Sequence, residues 1–435
     1  MSTQLKSRSV AECRRAIQER NPDLRALIAV LETPLRDERA SPSAPLFGVP
    51  YVLKDTWNTA GIRTTGGSWR HRTRVPSSSS VVFTTFQEAG AVLLGKSNLC
   101  DLAFSPESDN HILGATRNPL DRERTSGGST GGGAAAIAAG MAAFDWGSDF
   151  GGSVRMPAAF CGIVGLRLSY EEWRIPDDFF PRTPKLDVEL HGMGPLARSV
   201  GDVRDVMRAA ESLRKSPLGE ARPFTGRVHL YPPDAATERH WPTFVGDTAR
   251  ALVSIGAGFE VDRSVPSPSA VTDAYDSYVC SNFESFLATG ELPLRQGLPA
   301  VLLGLASGGR FDRRIHPKSG MLFMAMAVGR VSIYRDTRVA RERVERVRNA
   351  MSAIWDRGDL VVAPTATEPA PRHGRAGFSR RLLAFAKLGN MTDSTCVAIP
   401  FGRFPNGLPR SLQVMGPPGS EHEVLDLAAR LEALT

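Results

Sequence analysis

Cysteine and histidine are both scarce and scattered. The five cysteines, Cys13, Cys100, Cys161, Cys280 and Cys396, never form a CxxC pair. That excludes a disulfide scaffold and fits a reduced, cytoplasmic setting with small buried thiols. The eight histidines include no HExxH and no Cys/His cluster, so no zinc site and no other cofactor is expected. Long apolar runs are also missing. The longest charge-free stretch, Thr125 to Phe144, consists mostly of Gly, Ala, Ser and Thr, too polar for a membrane span. The opening MSTQLKSRSV has no apolar core, and no signal peptide is expected. Only seven of the 53 basic residues are lysine: Lys6, Lys54, Lys96, Lys185, Lys215, Lys318 and Lys387. Each merits inspection, because a buried lysine can lose its proton and an arginine in practice cannot. The formal net charge of +7 is a weak hint of acidic partners.

The rest of the composition is that of a globular chain. At 435 residues with 42% hydrophobic and 23% charged positions, it can bury a large core and is not disordered. Residues 9 to 32 read as one or two helices broken near Asn21 and Pro22. GVPYVLKD (48–55) reads as a buried strand and Ser77 to Ala89 as a helix closed by Gly90. AVLLG follows as a strand, then a helix near Asn98 to Phe104. Ser199 to Arg214, Thr243 to Ile255 and one long stretch over 320–356 read as helices. RVHLYPP, FEVDRSV, DLVVAPT, CVAIP and SLQVMG read as strands. The terminal SEHEVLDLAARLEAL is an amphipathic helix, with Ser420 as N-cap and Glu423 completing a capping box. This alternation predicts an α/β layer architecture. No repeat or linker divides the chain, and residues 1–435 are read as one domain.

Three motifs compete for the chemistry. GAVLLGKS (90–97) matches the phosphate-binding pattern GxxxxGK[ST], but its middle residues look like the strand itself, which has no spare amides to cradle a phosphate. GGSTG (127–131) matches the GxSxG nucleophile elbow. The polar NPLDRERTS before it is no core strand, and no histidine is placed as a base. The third candidate is a constellation: Lys54 at the end of a buried strand, Ser129 in a glycine turn, and Ser153 in SDFGGSVRMPAAFCG. Taken singly, Lys54 could be a surface residue and the glycines plain turns. Taken together, a buried lysine with a lowered pKa can act as a general base, with one serine relaying the proton and the other attacking. Gly151 and Gly152 leave backbone amides free to approach a developing oxyanion, and the helix after Ser129 adds its positive end.

At these residues the sequence resembles the amidase signature family, over almost its whole length. GVPYVLKD resembles the family's lysine strand, and GAVLLGKSNLCDLAF the strand and helix after it. DNHILGATRNPLD, RTSGGSTGGGAAAIAAG and GSDFGGSVRMPAAFCGIVGLR follow the signature in order. MGPLARSVGDV, VVAPTATEPAP and LPRSLQVMGPPGSEHEVLDLAARLE resemble later blocks. The resemblance implies an α/β fold with a large, central, mixed and twisted sheet covered by helices on both faces. It implies a signature core over about 45–205 and a helix-rich substrate side over about 264–356.

The resemblance further implies a triad of Ser153 as nucleophile, Ser129 as a bridging serine on a cis peptide bond, and Lys54 as base. The backbone amides of Phe150, Gly151, Gly152 and Ser153 match its oxyanion hole. Asp149 and Arg155 fall where the family has an acid and a base flanking the loop, with a turn-holding role. Thr130 replaces the family's second serine and Ser148 its threonine, each keeping a hydroxyl, Thr130 with its local hydrogen bond. After Gly165 the usual Lys-Pro-Thr becomes Leu166, Arg167, Leu168 and Ser169, and the block around Asn390 reads NMTDSTCVAIP. These departures fall on the substrate side in the family. They leave the segment 168–190 unaligned and the substrate open. Phe104, Phe150, Phe160, Phe179 and Phe180 are candidate pocket residues.

The expected activity is hydrolysis of a small-molecule carboxamide C–N bond through an acyl-enzyme. A second reading is a glutamine-dependent amidotransferase component that supplies ammonia to a partner. A third, of another class, is a nucleic-acid-binding or scaffold protein, suggested by the basic stretch Arg330 to Arg348. Val339, Val344, Val347, Met351 and Trp355 recur there at helical spacing, which favours an amphipathic helix with a solvated face, and no nucleic-acid partner is expected. A homodimer is an expectation of the resemblance.

Overall fold

The computed structural model describes residue 5 and residues 7–173, 179–181, 186, 189–289, 316–334, 336–376 and 382–435. Parts of the unaligned segment 168–190 and of the substrate side, together with Lys6 and Lys185, lie outside the described residues.

Among the described residues, eleven strands form one mixed sheet. In chain order they are β1 (Leu27–Leu35), β2 (Pro50–Lys54), β3 (Val92–Ser97), β6 (Phe144–Asp149), β7 (Val164–Arg167), β8 (Gly192–Ala197), β9 (Val228–Leu230), β10 (Phe259–Val261), β11 (Leu360–Pro364), β12 (Thr395–Arg403) and β13 (Pro409–Gly416). In space the order is β1-β3-β2-β6-β8-β7-β12-β13-β11-β9-β10. β2 runs parallel to β3 and β6, whereas β6–β8, β7–β12 and β12–β13 are antiparallel. β4 (Arg117–Asn118) and β5 (Asp121–Thr125) pair separately as a hairpin. The polar residues before GGSTG therefore stand outside the core sheet, as their composition predicts.

The helices are α1 (Val10–Leu24), α2 (Val81–Glu88), α3 (Gly131–Ala138), α4 (Arg155–Cys161), α5 (Val200–Ala209), α6 (Ala235–His240), α7 (Phe244–Ser254), α8 (Pro268–Ser281), α9 (Phe283–Ala288), α10 (Pro317–Ser332), α11 (Thr337–Trp355), α12 (Ala384–Met391) and α13 (Glu421–Glu432). Strand side chains alternate between faces, and the core divides accordingly. Leu360 and Val362 of β11 join α2, α5, α7 and α13 in one cluster, while Val361 and Ala363 join α8, α9, α10, α11 and α12 in another. Helices thus cover both faces. Among the described helices, none is long and apolar enough to cross a membrane.

Four local expectations need correction. Within the stretch 9–32, the part from Leu27 onward is strand, not helix: Arg25 takes a left-handed conformation (φ 53°) that ends α1, and β1 then pairs with β3. Asn98 to Phe104 holds only a 3-10 turn at Asp101–Ala103, with Leu102 at φ 55°. The 320–356 stretch is two helices, α10 and α11, the second capped by Asp336 through the amides of Arg338 and Val339. α11 buries Ala340, Val344, Val347, Met351 and Ile354, so the basic stretch is an interior-facing element with a charged outer side. Finally, Ser420 forms no side-chain cap on α13; its hydroxyl donates instead to the Pro417 carbonyl at 2.6 Å.

Candidate active site

Lys54 is buried because of where its strand ends. Tyr51 and Leu53 pack into the cluster with α2 and α5, and Val52 faces α1 and α3. Lys54 is next on the side of Val52, so its chain runs toward the start of α3. Its own amide donates to Asp145 Oδ1 at 2.9 Å, and Ser97 Oγ donates to Asp145 Oδ2 at 2.7 Å. The ammonium donates to Ser129 Oγ at 2.7 Å, Ser148 Oγ at 3.0 Å and the Ser148 carbonyl at 3.2 Å. Burial lowers its pKa to about 8, only partly opposed by Cys100, Asp145 and Asp149. Burial also raises Asp145 to about 6, so the nearest carboxylate is itself a weakened counter-ion.

Ser129 follows a cis Gly128–Ser129 peptide bond, as the family resemblance implies. Ser108 holds this turn from outside: its hydroxyl donates to the Ser129 carbonyl at 3.1 Å and accepts from the Gly131 amide at 2.9 Å. α3 can begin here only because its glycines leave room. A Cβ on Gly133 would run into the Asp145 carboxylate. Thr130 does not make the hydrogen bond expected of it. Its Oγ1 is buried without a partner among the described residues.

Lys96, from the false phosphate loop, is an instructive control. It too is buried, and burial lowers it to about 8. Its ammonium, however, contacts the Trp57 carbonyl, Thr59 Oγ1 and Thr64 Oγ1, and β3 is flanked by β1 and β2. A shifted pKa therefore does not set Lys54 apart from Lys96; the contact with Ser129 does.

The loop after β6 is organised by Asp149, which is fully buried with Arg155. Its carboxylate accepts from Arg155 Nη2 at 2.9 Å and Nε at 3.1 Å, and from the amides of Gly152 at 2.8 Å and Val154 at 3.0 Å. Burial alone would raise its pKa, but Arg155 outweighs that and holds it far below the usual carboxylate range. Asn390 of α12 closes the network. Its Nδ2 donates to Asp149 Oδ1, the Asp149 carbonyl and the Leu190 carbonyl, and its Oδ1 accepts from Arg155 Nη2 at 2.7 Å. Gln413 of β13 takes Arg155 Nη1 at 3.2 Å. The NMTDSTCVAIP block thus supports the loop after β6 through Asn390. Asn390 and Gln413 were missed from sequence, since nothing local marks them.

The same network engages one of the four amides expected in the oxyanion hole. The Gly152 N–H points inward to Asp149 and is occupied, with Gly152 itself at φ 109°. The amides of Phe150, Gly151 and Ser153 donate to none of the described groups. Ser153 is the half-buried member of the group, whereas Lys54 and Ser129 are sealed. Its carbonyl accepts from the Thr130 amide at 3.1 Å, tying the loop to the cis-serine turn.

Removing one partner of a buried ion pair strands the other. Arg155→Ala is expected to destabilise the fold by about 3–5 kcal/mol, read as a lower midpoint in urea unfolding. An unchanged midpoint would show that the pair does not hold the loop.

Of the five candidate phenylalanines, two share Phe286 as a neighbour. Phe104 stacks on Phe323 at 4.5 Å, and Phe150 meets Phe286 edge-on at 5.9 Å and His191 at 4.6 Å; Phe104 also touches Phe286. Phe179 packs on Trp57 and reaches this group through His191. Phe160 and Phe180 point elsewhere, Phe160 into a cluster with Met156 and Ala386, Phe180 against His71 and Arg74. Among the described residues one group could hold a metal ion, His229 with Glu260 and Asp262. It sits at the β9–β10 edge of the sheet. The two ring nitrogens of His229 already face carboxylates, Asp262 at 2.8 Å and Asp359 at 3.0 Å.

Comparison with known proteins supplies the family. The model of the family described as Amidase matches residues 8–237 and 248–425. A putative amidase AmiB2 of Mycobacterium tuberculosis is 31% identical over 413 residues, covering 89% of this chain and 82% of its own. The glutamyl-tRNA(Gln) amidotransferase of Neorickettsia sennetsu, matched through its A-type component, is 29% identical, covering 96% and 92%. Among solved structures, a bacterial aryl acylamidase of the amidase signature family superposes with a TM-score of 0.76 at 22% identity, over 100% of this chain and 94% of its own. A 6-aminohexanoate cyclic dimer hydrolase reaches 0.76 at 23% identity, over 98% and 92%. With the family match running through both the lysine strand and the serine loop, the chain belongs to the amidase signature family and is an enzyme that hydrolyses amide C–N bonds.

Proposed function

We propose that this amidase works through Ser153, Ser129 and Lys54 on a small carboxamide with an apolar acyl or amine part. The observation that carries the reading is the 2.7 Å contact between Ser129 Oγ and a sealed lysine whose pKa burial has lowered to about 8. Once neutral, Lys54 accepts the Ser129 proton while Ser129 accepts that of Ser153, and Ser153 Oγ bonds to the amide carbon. The carbonyl oxygen becomes an oxyanion facing the amides of Phe150, Gly151 and Ser153. The C–N bond then breaks as Lys54, through Ser129, returns a proton to the leaving nitrogen. Water attacks the ester by the same relay and frees the acid.

The apolar preference is supported by Phe104, Phe150, Phe286 and Phe323 grouped beside the loop. In a panel of aliphatic, aromatic and amino-acid amides, phenylacetamide-type or anilide substrates are expected to exceed glutamine in kcat/KM by roughly 100-fold, the scale of a mismatched apolar pocket. Faster turnover of glutamine would instead favour an amidotransferase role, the reading suggested by the Neorickettsia relative. Five buried cysteines, none in a disulfide, support a reducing, cytoplasmic setting. We read residues 1–435 as one catalytic unit, and the mass in solution tests whether it pairs as a homodimer.

A further inference from the structure

The oxyanion loop is gripped from two helices outside the glycine- and serine-rich signature. On α12, Asn390 holds the Asp149 carbonyl at 3.1 Å. On α8, Tyr275 donates its hydroxyl to the Phe150 carbonyl at 2.9 Å. In a trans peptide the carbonyl and the following N–H lie in one plane and point in opposite directions. Fixing the Phe150 oxygen toward α8 therefore fixes the Gly151 N–H away from α8. That amide is one of those left without a partner in the described loop, whereas its neighbour on Gly152 is taken by Asp149.

The tyrosine is itself held. It is nearly sealed, with 7% of its surface exposed, and burial pushes its phenol well above the ordinary range, so it remains a donor. Its hydroxyl lies 2.9 Å from where a Gly151 Cβ would be, so a larger residue there would displace it. The Lys387 ammonium of α12 lies 4.9 Å from the ring centroid and pairs with the adjacent Asp276 at 2.6 Å. A cation over the ring face is attracted to it, and the Asp276 pair joins α12 to α8 beneath the loop.

We propose that Tyr275 is a positioning residue for transition-state stabilisation: it sets the Phe150–Gly151 peptide so that the Gly151 amide is presented to the oxyanion. This rests on reading the loop as an oxyanion hole. Such an amide acts mainly once negative charge has developed, so losing its orientation should affect kcat far more than KM.

The test uses the full chain, a chromogenic anilide turned over by the wild type, and phenylboronic acid, which forms a tetrahedral adduct on a serine nucleophile. Tyr275→Phe is expected to lower kcat roughly tenfold and to raise the boronate Ki by a similar factor, with KM within about twofold, a fraction of the effect of deleting an oxyanion donor. Lys387→Met, which keeps the hydroxyl but frees the ring, should give the same pattern at roughly two- to threefold. It keeps the proposal testable if the first variant folds poorly. An unchanged kcat and boronate Ki in Tyr275→Phe overturns the proposal, as does a rise in KM alone, which would make Tyr275 a substrate contact. If either result accompanies an inactive Ser153→Ala, only this inference fails. An active Ser153→Ala removes the reading of the loop itself.

Discussion

Ser153→Ala is expected to lower amide hydrolysis by at least about 10⁴-fold, with no change in the melting temperature beyond a degree or two. The stability half follows from what the residue does in the fold. Ser153 contributes its carbonyl to the Thr130 amide, and alanine keeps that bond. The turn itself is held by Asp149, Arg155 and Asn390, none of which touches the Ser153 side chain through the bonds that define the network. The chemical half follows from the absence of a substitute. Ser129 Oγ is committed to Lys54 and sealed, so it cannot turn outward to attack without breaking the relay. A fluorophosphonate should label the wild type once per chain, at Ser153, and leave the alanine variant unlabelled. Because the three groups act as a unit, Ser129→Ala added to Ser153→Ala should lower the rate little further. Near-wild-type hydrolysis by the single variant, or a label mapped to another serine, would remove Ser153 from the mechanism.

What the sequence made legible was the chemistry carried by contiguous residues. GVPYVLKD showed a lysine at a buried strand end, and GGSTGGGAAAIAAG a glycine turn leading into a helix. Ser153 sits within a loop dense in glycine. Several of the failures trace to partners distant in sequence. Residues 27–35 have apolar positions compatible with a helix, but pairing with β3 decides for strand. Asn390, Gln413 and Tyr275 lie more than a hundred residues from the loop they hold, and no short motif reports such contacts. The adjacent Gly151 and Gly152 look like open backbone in sequence, yet the Gly152 amide has a partner. A carboxylate three residues earlier already occupies it. Thr130 keeps the family's hydroxyl but has no partner for it among the described residues, since a hydroxyl in sequence carries no geometry.

Lys54→Met is expected to abolish measurable turnover, by about 10³–10⁴-fold, and yet to make the protein more stable at pH 7. Unfolded, the lysine titrates near its ordinary value of 10.5; folded, it titrates near 8. Below pH 8 both states carry the charge, and the native state holds it against burial. Between about 8 and 10.5 the unfolded chain binds more protons than the native one, so stability rises with pH across that window, and above it the difference is gone. That gap corresponds to about 3 kcal/mol of destabilisation at neutral pH. Methionine relieves it but leaves the Ser148 carbonyl without the ammonium bond, an opposing loss of about 1–3 kcal/mol. The net gain at pH 7 is then about 1 kcal/mol, shrinking above about pH 8 and reversing as the pH passes about 9. For the wild type, kcat/KM should rise with pH and level off above about 8, because the neutral amine is the active form. Lys96→Met separates base from bystander. Lys96 titrates in the same range but touches no serine of the site, so its loss should change stability and amplitude while the limb near 8 remains. A limb near 8 that survived in Lys54→Met and vanished in Lys96→Met would exchange their roles.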